Sequence, residues 1–152
     1  MFTAGVRAHY VTSQLAAPLL IATGGLMVGI SFFAAMRHKD TERIPYFLAK
    51  NATDQMALAM ANHLRPHGVT SVSLYPGLVR TEGIMLAPEG VFDLSNSESP
   101  QFIGRAVAAL ANDPKVLTKT GQVLVAAELG DDYGFTDIDG KRPRSLRAAW
   151  EA

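Results

Sequence analysis

The chain has 152 residues, the size of one domain, and its 48% apolar and 18% charged content is typical of a globular protein. Fourteen basic and fourteen acidic side chains give no net charge, and no run of Lys or Arg exceeds two, so we predict no nucleic-acid partner. The absence of cysteine excludes disulfides and thiolate metal sites and fits a reducing, cytoplasmic location. We therefore expect a single domain over residues 1–152.

The first part of the chain carries an apolar run that permits two interpretations. Residues 8–36 contain no Asp, Glu, Lys or Arg, and the segment 15–36 is long enough to cross a bilayer. Pro18 and the pair Gly24-Gly25 divide this run into two parts that are each too short to span. We favour buried elements of a globular fold, and membrane association through residues 15–36 remains the weaker alternative.

Turn signals and apolar periodicity then divide the chain into alternating elements. We predict, in chain order, a helix over 5–20, a strand over 26–31, a polar loop over 37–43, a helix over 46–64, a strand over 69–75, a loop over 78–98, a helix from 99 to 113, and a strand over 121–128. The second helix shows apolar residues at helical spacing, namely Leu48, Ala52, Met56, Ala59, Met60 and Leu64. This alternation predicts an α/β layered fold with about three parallel strands and flanking helices.

Tyr46 and Lys50 lie four residues apart at the start of the second predicted helix, so both project from one face. An ammonium group beside a phenol favours the phenolate, so we expect Lys50 to lower the Tyr46 pKa from its reference of about 10. Tyr46 is therefore a candidate proton donor and acceptor. Taken alone, this spacing more often belongs to an ordinary pair on a helix surface.

Pro76 and Gly77 turn the chain at the end of the second predicted strand. In open parallel sheets, ligands bind at the carboxyl ends of the strands.

Metal binding is not predicted, because Pro66 lies between His63 and His67 and no third ligand is near.

With Tyr46-x-x-x-Lys50 after an apolar strand and residues 73–81 after the next, the chain resembles the short-chain dehydrogenase/reductase family, and most of all its member-1 type. Further matching segments are residues 5–10, 44–46, 63–69 and 132–140. The resemblance covers almost all of the chain, but only the carboxyl-terminal half of a family member. It implies a partial Rossmann-like, doubly wound sheet without its amino-terminal, cofactor-binding half.

The resemblance implies an NAD(P)-dependent oxidoreductase that transfers hydride between a nicotinamide and a small carbonyl or alcohol substrate. Tyr46 matches the general acid/base, and Lys50 matches the residue that tunes it and bonds the nicotinamide ribose. The turn that meets the nicotinamide carboxamide is matched by Pro76, Gly77, Val79 and Thr81. The resemblance leaves NAD and NADP equally open as the cofactor.

Three positions differ from the family pattern. Ser31, the candidate for the catalytic serine, precedes Tyr46 by fifteen residues, which is further than in the family. The end of the strand, where the family serine normally lies, has the sequence Ser31-Phe32 here. A displacement of one residue along a strand turns a side chain to the opposite face. Gly5 aligns with the asparagine of the family's proton relay, and no glycine-rich phosphate loop follows a first strand.

These differences support an alternative function. The chain would then be a truncated, catalytically silent form that acts as a self-association or interaction module, pairing with itself or with a full-length relative through its first two helices. The family forms its oligomer interface from the two helices predicted here over 5–20 and 46–64, so the resemblance implies a homo-oligomer through them.

Overall fold

The computed structural model describes residues 1–36 and 43–151. The predicted polar loop over 37–43 therefore lies almost wholly outside the described residues. The helices are α1 (Ala8–Thr23), α2 (Ile44–Leu64), α3 (Glu82–Met85), α4 (Pro100–Asn112), α5 (Ala126–Tyr133) and α6 (Arg147–Glu151). The strands are β1 (Leu26–Ile30), β2 (Thr70–Tyr75) and β3 (Val123–Val125). A π-helical turn (Phe2–Arg7) and three 3-10 turns (Phe33–Met36, Arg65–His67 and Val116–Lys119) complete the regular structure.

The three strands form one parallel sheet in the order β1-β2-β3. Leu26 pairs with Thr70 at the start of β1, and Ser73 pairs with Val123 at the start of β3. Parallel strands need crossover connections, which α2 and α4 provide between successive strands. The predicted α/β architecture with a partial Rossmann-like sheet is confirmed.

Strand β2 is buried along its whole length and separates two apolar clusters. Val72 and Leu74 pack with Phe102 and Leu110 of α4 and with Leu129 of α5. Tyr75 points to the opposite face, where it meets Phe33 edge-on with ring centroids 5.0 Å apart. The alternation follows from the two-residue period of a strand, and it assigns one face to α4 and α5.

Helix α2 packs closely on the sheet because its inner face carries small side chains. Its buried residues are Ala49, Thr53, Ala57, Ala61 and Leu64. A Cβ on Gly29 of β1 would lie only 3.0 Å from the Thr53 methyl carbon, so glycine permits this approach. The helical spacing of the apolar residues from Leu48 correctly predicts α2, but this set is not the face that packs on the sheet, since Leu48 is 45% exposed and only Leu64 of the set is buried.

Helix α1 contains Pro18 and continues to Thr23, three residues beyond the predicted end at residue 20. Proline removes one backbone donor from the helix, and the surrounding Ala and Leu residues favour continuation. The helix ends at Gly24, whose φ of 68° is left-handed and accessible to glycine at little cost.

No helix among residues 1–36 and 43–151 has the length and hydropathy needed to cross a membrane.

The last predicted strand is three residues long, and α5 begins at Ala126 inside the segment predicted as extended. The prediction followed the apolar content of residues 121–128 and missed the strong helix formers Ala126, Ala127, Glu128 and Leu129. Glu128 also bonds the Arg147 guanidinium at 2.9 Å, which fixes the carboxyl-terminal segment on α5.

Candidate functional site

The predicted site residues follow the carboxyl ends of neighbouring strands. Ser31 comes directly after β1, Pro76 comes directly after β2, and Tyr46 and Lys50 occupy the first two turns of α2. Lys50 reaches the last residue of β1, where its Nζ donates to the Ile30 carbonyl at 3.0 Å. The fold therefore brings the start of α2 against the carboxyl edge of the sheet.

Tyr46 and Lys50 share a face of α2, as their spacing predicts. The Lys50 ammonium lies 5.6 Å from the centroid of the Tyr46 ring, in a cation–π position. Since it donates its hydrogen bond to the Ile30 carbonyl, the ammonium faces the ring rather than the hydroxyl. It therefore interacts with the electron-rich face of the phenol.

The two pKa shifts follow from this placement. Burial raises the Tyr46 pKa above 10, and only Arg43 opposes the shift. Burial lowers the Lys50 pKa, and the nearby Asp54 carboxylate partly restores it. The expectation that Lys50 lowers the Tyr46 pKa is thus wrong for this arrangement, because the charge lies over the ring and the phenol is partly desolvated.

Ser31 is 1% exposed, and its hydroxyl donates to the Lys50 carbonyl at 3.0 Å. Its backbone amide donates to the Leu74 carbonyl at 2.9 Å and extends the pairing of β1 with β2. The structure thus places the Ser31 hydroxyl on the backbone of α2. Phe32, the next residue, packs edge-on against Phe33 with ring centroids 6.1 Å apart.

The turn after β2 is fixed by a buried carboxylate that sequence reasoning missed. The Gly77 amide donates to Glu98 Oε2 at 2.9 Å, and Glu98 is 1% exposed. The backbone of Glu98 also pairs with the segment around Val79, through its amide to the Leu78 carbonyl at 2.8 Å. Burial raises the Glu98 pKa from 4.5 to about 7. Glu98 lies inside the predicted loop, where no periodic pattern marks a residue as buried.

Arg80 connects this turn to the carboxyl-terminal region. Its guanidinium donates to the Ser97 carbonyl at 2.8 Å and to Asp137 Oδ2 at 3.0 Å. Asp137 is 2% exposed and also accepts from the amide and hydroxyl of Ser99, the cap of α4. Thr81 is exposed, and neither its hydroxyl nor the Val79 amide bonds another described residue.

A second carboxylate, partly buried and also missed from the sequence, ties α2 to β2. Asp54 Oδ1 accepts from the Ser73 hydroxyl at 2.6 Å, and Oδ2 accepts from the Tyr75 hydroxyl at 2.5 Å. Asp54 lies one helical turn after Lys50, so the two side chains share a face of α2. Ser73 and Tyr75 are two residues apart on β2, so they share a face of the strand. These two spacings could have indicated the contact from the sequence.

A parallel three-stranded sheet with a tyrosine and a lysine at its carboxyl edge defines an α/β protein of the Rossmann-like class. Residues 1–128 match the family model described as enoyl-(acyl carrier protein) reductase. The chain belongs to the short-chain dehydrogenase/reductase family. The mouse protein dehydrogenase/reductase SDR family member 1 is 40% identical over 150 residues, which cover 90% of this chain and 47% of that protein. The chain thus spans about half the length of this relative.

Solved structures share the fold over about half of their length. A short-chain dehydrogenase/reductase from Caenorhabditis elegans, crystallised with cofactor, superimposes with a TM-score of 0.70 at 23% identity. The match covers 80% of this chain and 51% of that chain. A 4-hydroxyisoleucine dehydrogenase complexed with NADH has a TM-score of 0.64 at 23% identity, over 80% of this chain and 53% of that one.

Proposed function

We propose that the chain forms the catalytic half of an NAD(P)-dependent oxidoreductase, with Tyr46 as the acid/base. The observation that carries this proposal is the placement of Lys50 beside the Tyr46 ring, 5.6 Å from its centroid, at the carboxyl edge of the sheet. Membership of the short-chain dehydrogenase/reductase family supports the same chemistry. The substrate class is a small carbonyl compound or the corresponding alcohol.

The nicotinamide end of such a cofactor fits groups that this chain provides. The Val79 amide and the Thr81 hydroxyl have no described partner, so both are available to a carboxamide. Pro76 and Gly77 are buried, and Glu98 holds the turn that presents these donors. Lys50 would bond the ribose. No glycine-rich loop for the pyrophosphate occurs in the 152 residues, so the fit is limited to the nicotinamide end.

When bound, the nicotinamide supplies the hydride that adds to the carbonyl carbon. The Tyr46 hydroxyl gives its proton to the carbonyl oxygen, which completes the alcohol and leaves a phenolate. Burial raises the Tyr46 pKa, so the phenol is protonated at neutral pH and is in the form that reduction requires.

Calorimetric titration with NADH and NADPH tests this proposal. We expect saturable binding of one nucleotide with a dissociation constant near millimolar, because contacts are limited to the nicotinamide end. Lys50→Met should weaken binding, whereas Tyr46→Phe should leave it unchanged and abolish carbonyl-dependent NAD(P)H oxidation. Absence of saturable binding at millimolar nucleotide would contradict an oxidoreductase role for the separate chain.

A specific observation also favours the second candidate, self-association through α1 and α2. No residue of α1 is buried, and Leu15 and Leu19 are 73% and 72% exposed. A cavity of about 400 Å³ opens between the two helices and is lined by Tyr10, Met56 and Met60. Apolar exposure on this scale is typical of a surface that another molecule covers.

Sedimentation velocity over a range of chain concentrations tests this second candidate. We expect a dimer, and Leu15→Glu should weaken it by about tenfold or more because a charge would be desolvated in the interface. Leu86→Glu is the matched control, since Leu86 is 85% exposed and lies outside both helices. A monomer at millimolar concentration, or equal loss with both variants, would exclude an interface on α1.

A further inference from the structure

The Asp54 carboxylate is held at both of its oxygens by hydroxyls of β2. Oδ1 accepts from Ser73 at 2.6 Å, and Oδ2 accepts from Tyr75 at 2.5 Å. Both donor residues are buried, so neither hydroxyl can turn to water instead. Burial, and after it the bond to Asp54, raises the Tyr75 pKa, so the phenol keeps its proton and remains a donor. The carboxylate is therefore directed at β2.

Lys50 lies one helical turn before Asp54, at a spacing that usually allows a direct ion pair on one helix face. The structure describes both side chains, and no ion pair joins them. The ammonium donates instead to the Ile30 carbonyl at 3.0 Å and lies 5.6 Å from the centroid of the Tyr46 ring. Burial lowers the Lys50 pKa, and the Asp54 charge partly opposes this shift. Asp54 thus acts on the ammonium through its charge, without a direct contact.

Few other ionisable groups bear on this pair. β1 contributes the Ile30 carbonyl, since the sequence Leu-Met-Val-Gly-Ile has no ionisable side chain. The ionisable groups that act on the surrounding site are Tyr46 and Arg43 at the start of α2, Tyr75 of β2 and Arg147 of α6. Arg43 acts on the Tyr46 hydroxyl and Arg147 acts on the Tyr75 hydroxyl. The charge that bears on Lys50 itself is that of Asp54.

We propose that Asp54 is a positioning residue for Lys50, and that Ser73 and Tyr75 hold its carboxylate away from the ammonium. This inference rests on the proposed oxidoreductase function, in which Lys50 bonds the nicotinamide ribose. A partly buried lysine needs a negative charge nearby to stay protonated, but a direct ion pair would occupy donors that the ribose needs. The two hydroxyls of β2 meet both requirements, because they fix the charge and engage its oxygens.

The proposal predicts opposite effects for two substitutions. Asp54→Asn removes the charge and keeps the size of the side chain, so it should lower the Lys50 pKa further. Tyr75→Phe frees Oδ2, so the carboxylate can turn to the ammonium, form a direct ion pair and raise the Lys50 pKa. A purely structural contact predicts the same direction in both variants, because looser packing of α2 would expose Lys50 to water and raise its pKa.

NMR titration of the full chain with isotope-labelled lysine side chains measures these effects. The chain has five lysines, and Lys50→Met identifies the signal of Lys50. Ser73→Ala frees Oδ1 and should act in the same direction as Tyr75→Phe, so it decides the matter where Tyr75→Phe does not fold. Tyr133→Phe is the matched control, since it removes a hydroxyl that donates to a different carboxylate, that of Asp113, at 2.5 Å. It should leave the titration of Lys50 unchanged.

Calorimetric titration with NADH gives a second readout. Tyr75→Phe should weaken NADH binding by about tenfold, because the direct ion pair competes with the ribose for the ammonium. Asp54→Asn should lower the pH above which binding is lost, because Lys50 gives up its proton earlier. The two variants would thus differ in kind, one in affinity and the other in pH dependence.

A Lys50 pKa that rises in both variants, or that does not change in Asp54→Asn, would overturn the proposal. An unchanged Lys50 pKa in both Tyr75→Phe and Ser73→Ala would also overturn it, because the hydroxyls would then not restrain the carboxylate. The lysine titration uses the nucleotide-free chain. Absence of NADH binding would therefore count against the oxidoreductase function, while the titration decides the role of Asp54 separately.

Discussion

The Tyr75 hydroxyl on β2 donates to the Asp54 carboxylate on α2 over 2.5 Å, and Tyr75 is 1% exposed. The second oxygen of the same carboxylate accepts from Ser73, which is fully buried. One acidic side chain thus satisfies two hydroxyls that have no access to water. Asp54 is also one turn from Lys50. Burial lowers the Lys50 pKa and the Asp54 carboxylate partly opposes this, so the carboxylate couples the packing of α2 on β2 to the charge at the site.

Asp54→Ala should therefore destabilise the fold by about 2 to 4 kcal/mol, because both hydroxyls lose their partner in a buried setting. Asp54→Asn, which keeps an acceptor, should cost less. Chemical denaturation followed by circular dichroism measures both changes. In combination with Tyr75→Phe, which removes one of the hydroxyls, the loss from Asp54→Ala should be smaller than in the wild-type background. Strict additivity of the two substitutions would contradict the contact.

The sequence was sufficient for the α/β architecture because its strands and helices are bounded by strong local signals. β1 and β2 were predicted to within one residue at each end, since Gly25 precedes β1 and Gly68 and Pro76 flank the β2 segment. Ser99 was predicted as the cap of α4, and its hydroxyl accepts from the Phe102 amide at 3.1 Å. These features depend on neighbours in the chain, which periodicity and turn chemistry report.

The buried carboxylates could not be predicted in the same way. Glu98 meets Gly77 across 21 residues, and Asp137 meets Arg80 across 57. Such contacts depend on how separate loops pack. The apolar spacing in α2 predicted the helix but did not identify its buried face. Side-chain size, rather than hydropathy, decides which face approaches the sheet, and Ala49 and Thr53 are buried while the larger Leu48 is not.

The direction of the Tyr46 pKa shift is a direct test of the site geometry. Burial raises this pKa and Arg43 lowers it, so Arg43→Gln should raise it further, whereas Lys50→Met should change it less. NMR titration with ring-labelled tyrosine resolves Tyr46 from the other three tyrosines. His63→Gln is a suitable control, since it removes a side chain from the far end of the same helix. A Tyr46 pKa below 10 in the wild-type chain would show that the ammonium acts on the hydroxyl instead of the ring.

Glu98 should make stability depend on pH in the range from 4.5 to about 7. Its pKa is raised in the folded chain, so the protonated form is favoured by folding; this contribution is complete below pH 4.5 and is lost as the pH rises through about 7. Glu98→Gln stays neutral and keeps an acceptor for the Gly77 amide. It should resemble the wild type at pH 4.5 and exceed it at pH 8, by up to about 3 kcal/mol. Urea denaturation of both proteins at the two pH values measures the difference, and equal pH dependence would contradict a buried Glu98.

Two glycines inside helices should respond to alanine in opposite directions. At Gly104 of α4, a Cβ would meet nothing within 4 Å, so Gly104→Ala should stabilise the fold by about 0.5 to 1 kcal/mol through the lower flexibility of the unfolded chain. At Gly130 of α5, a Cβ would lie 3.0 Å from the Phe102 ring and 3.3 Å from the Phe135 carbonyl. Gly130→Ala should destabilise by about 1 to 3 kcal/mol, because the ring packs tightly in the core. Thermal and urea unfolding of the two variants measure these effects, and a stabilising Gly130→Ala would show that α5 does not pack on Phe102 as closely as described.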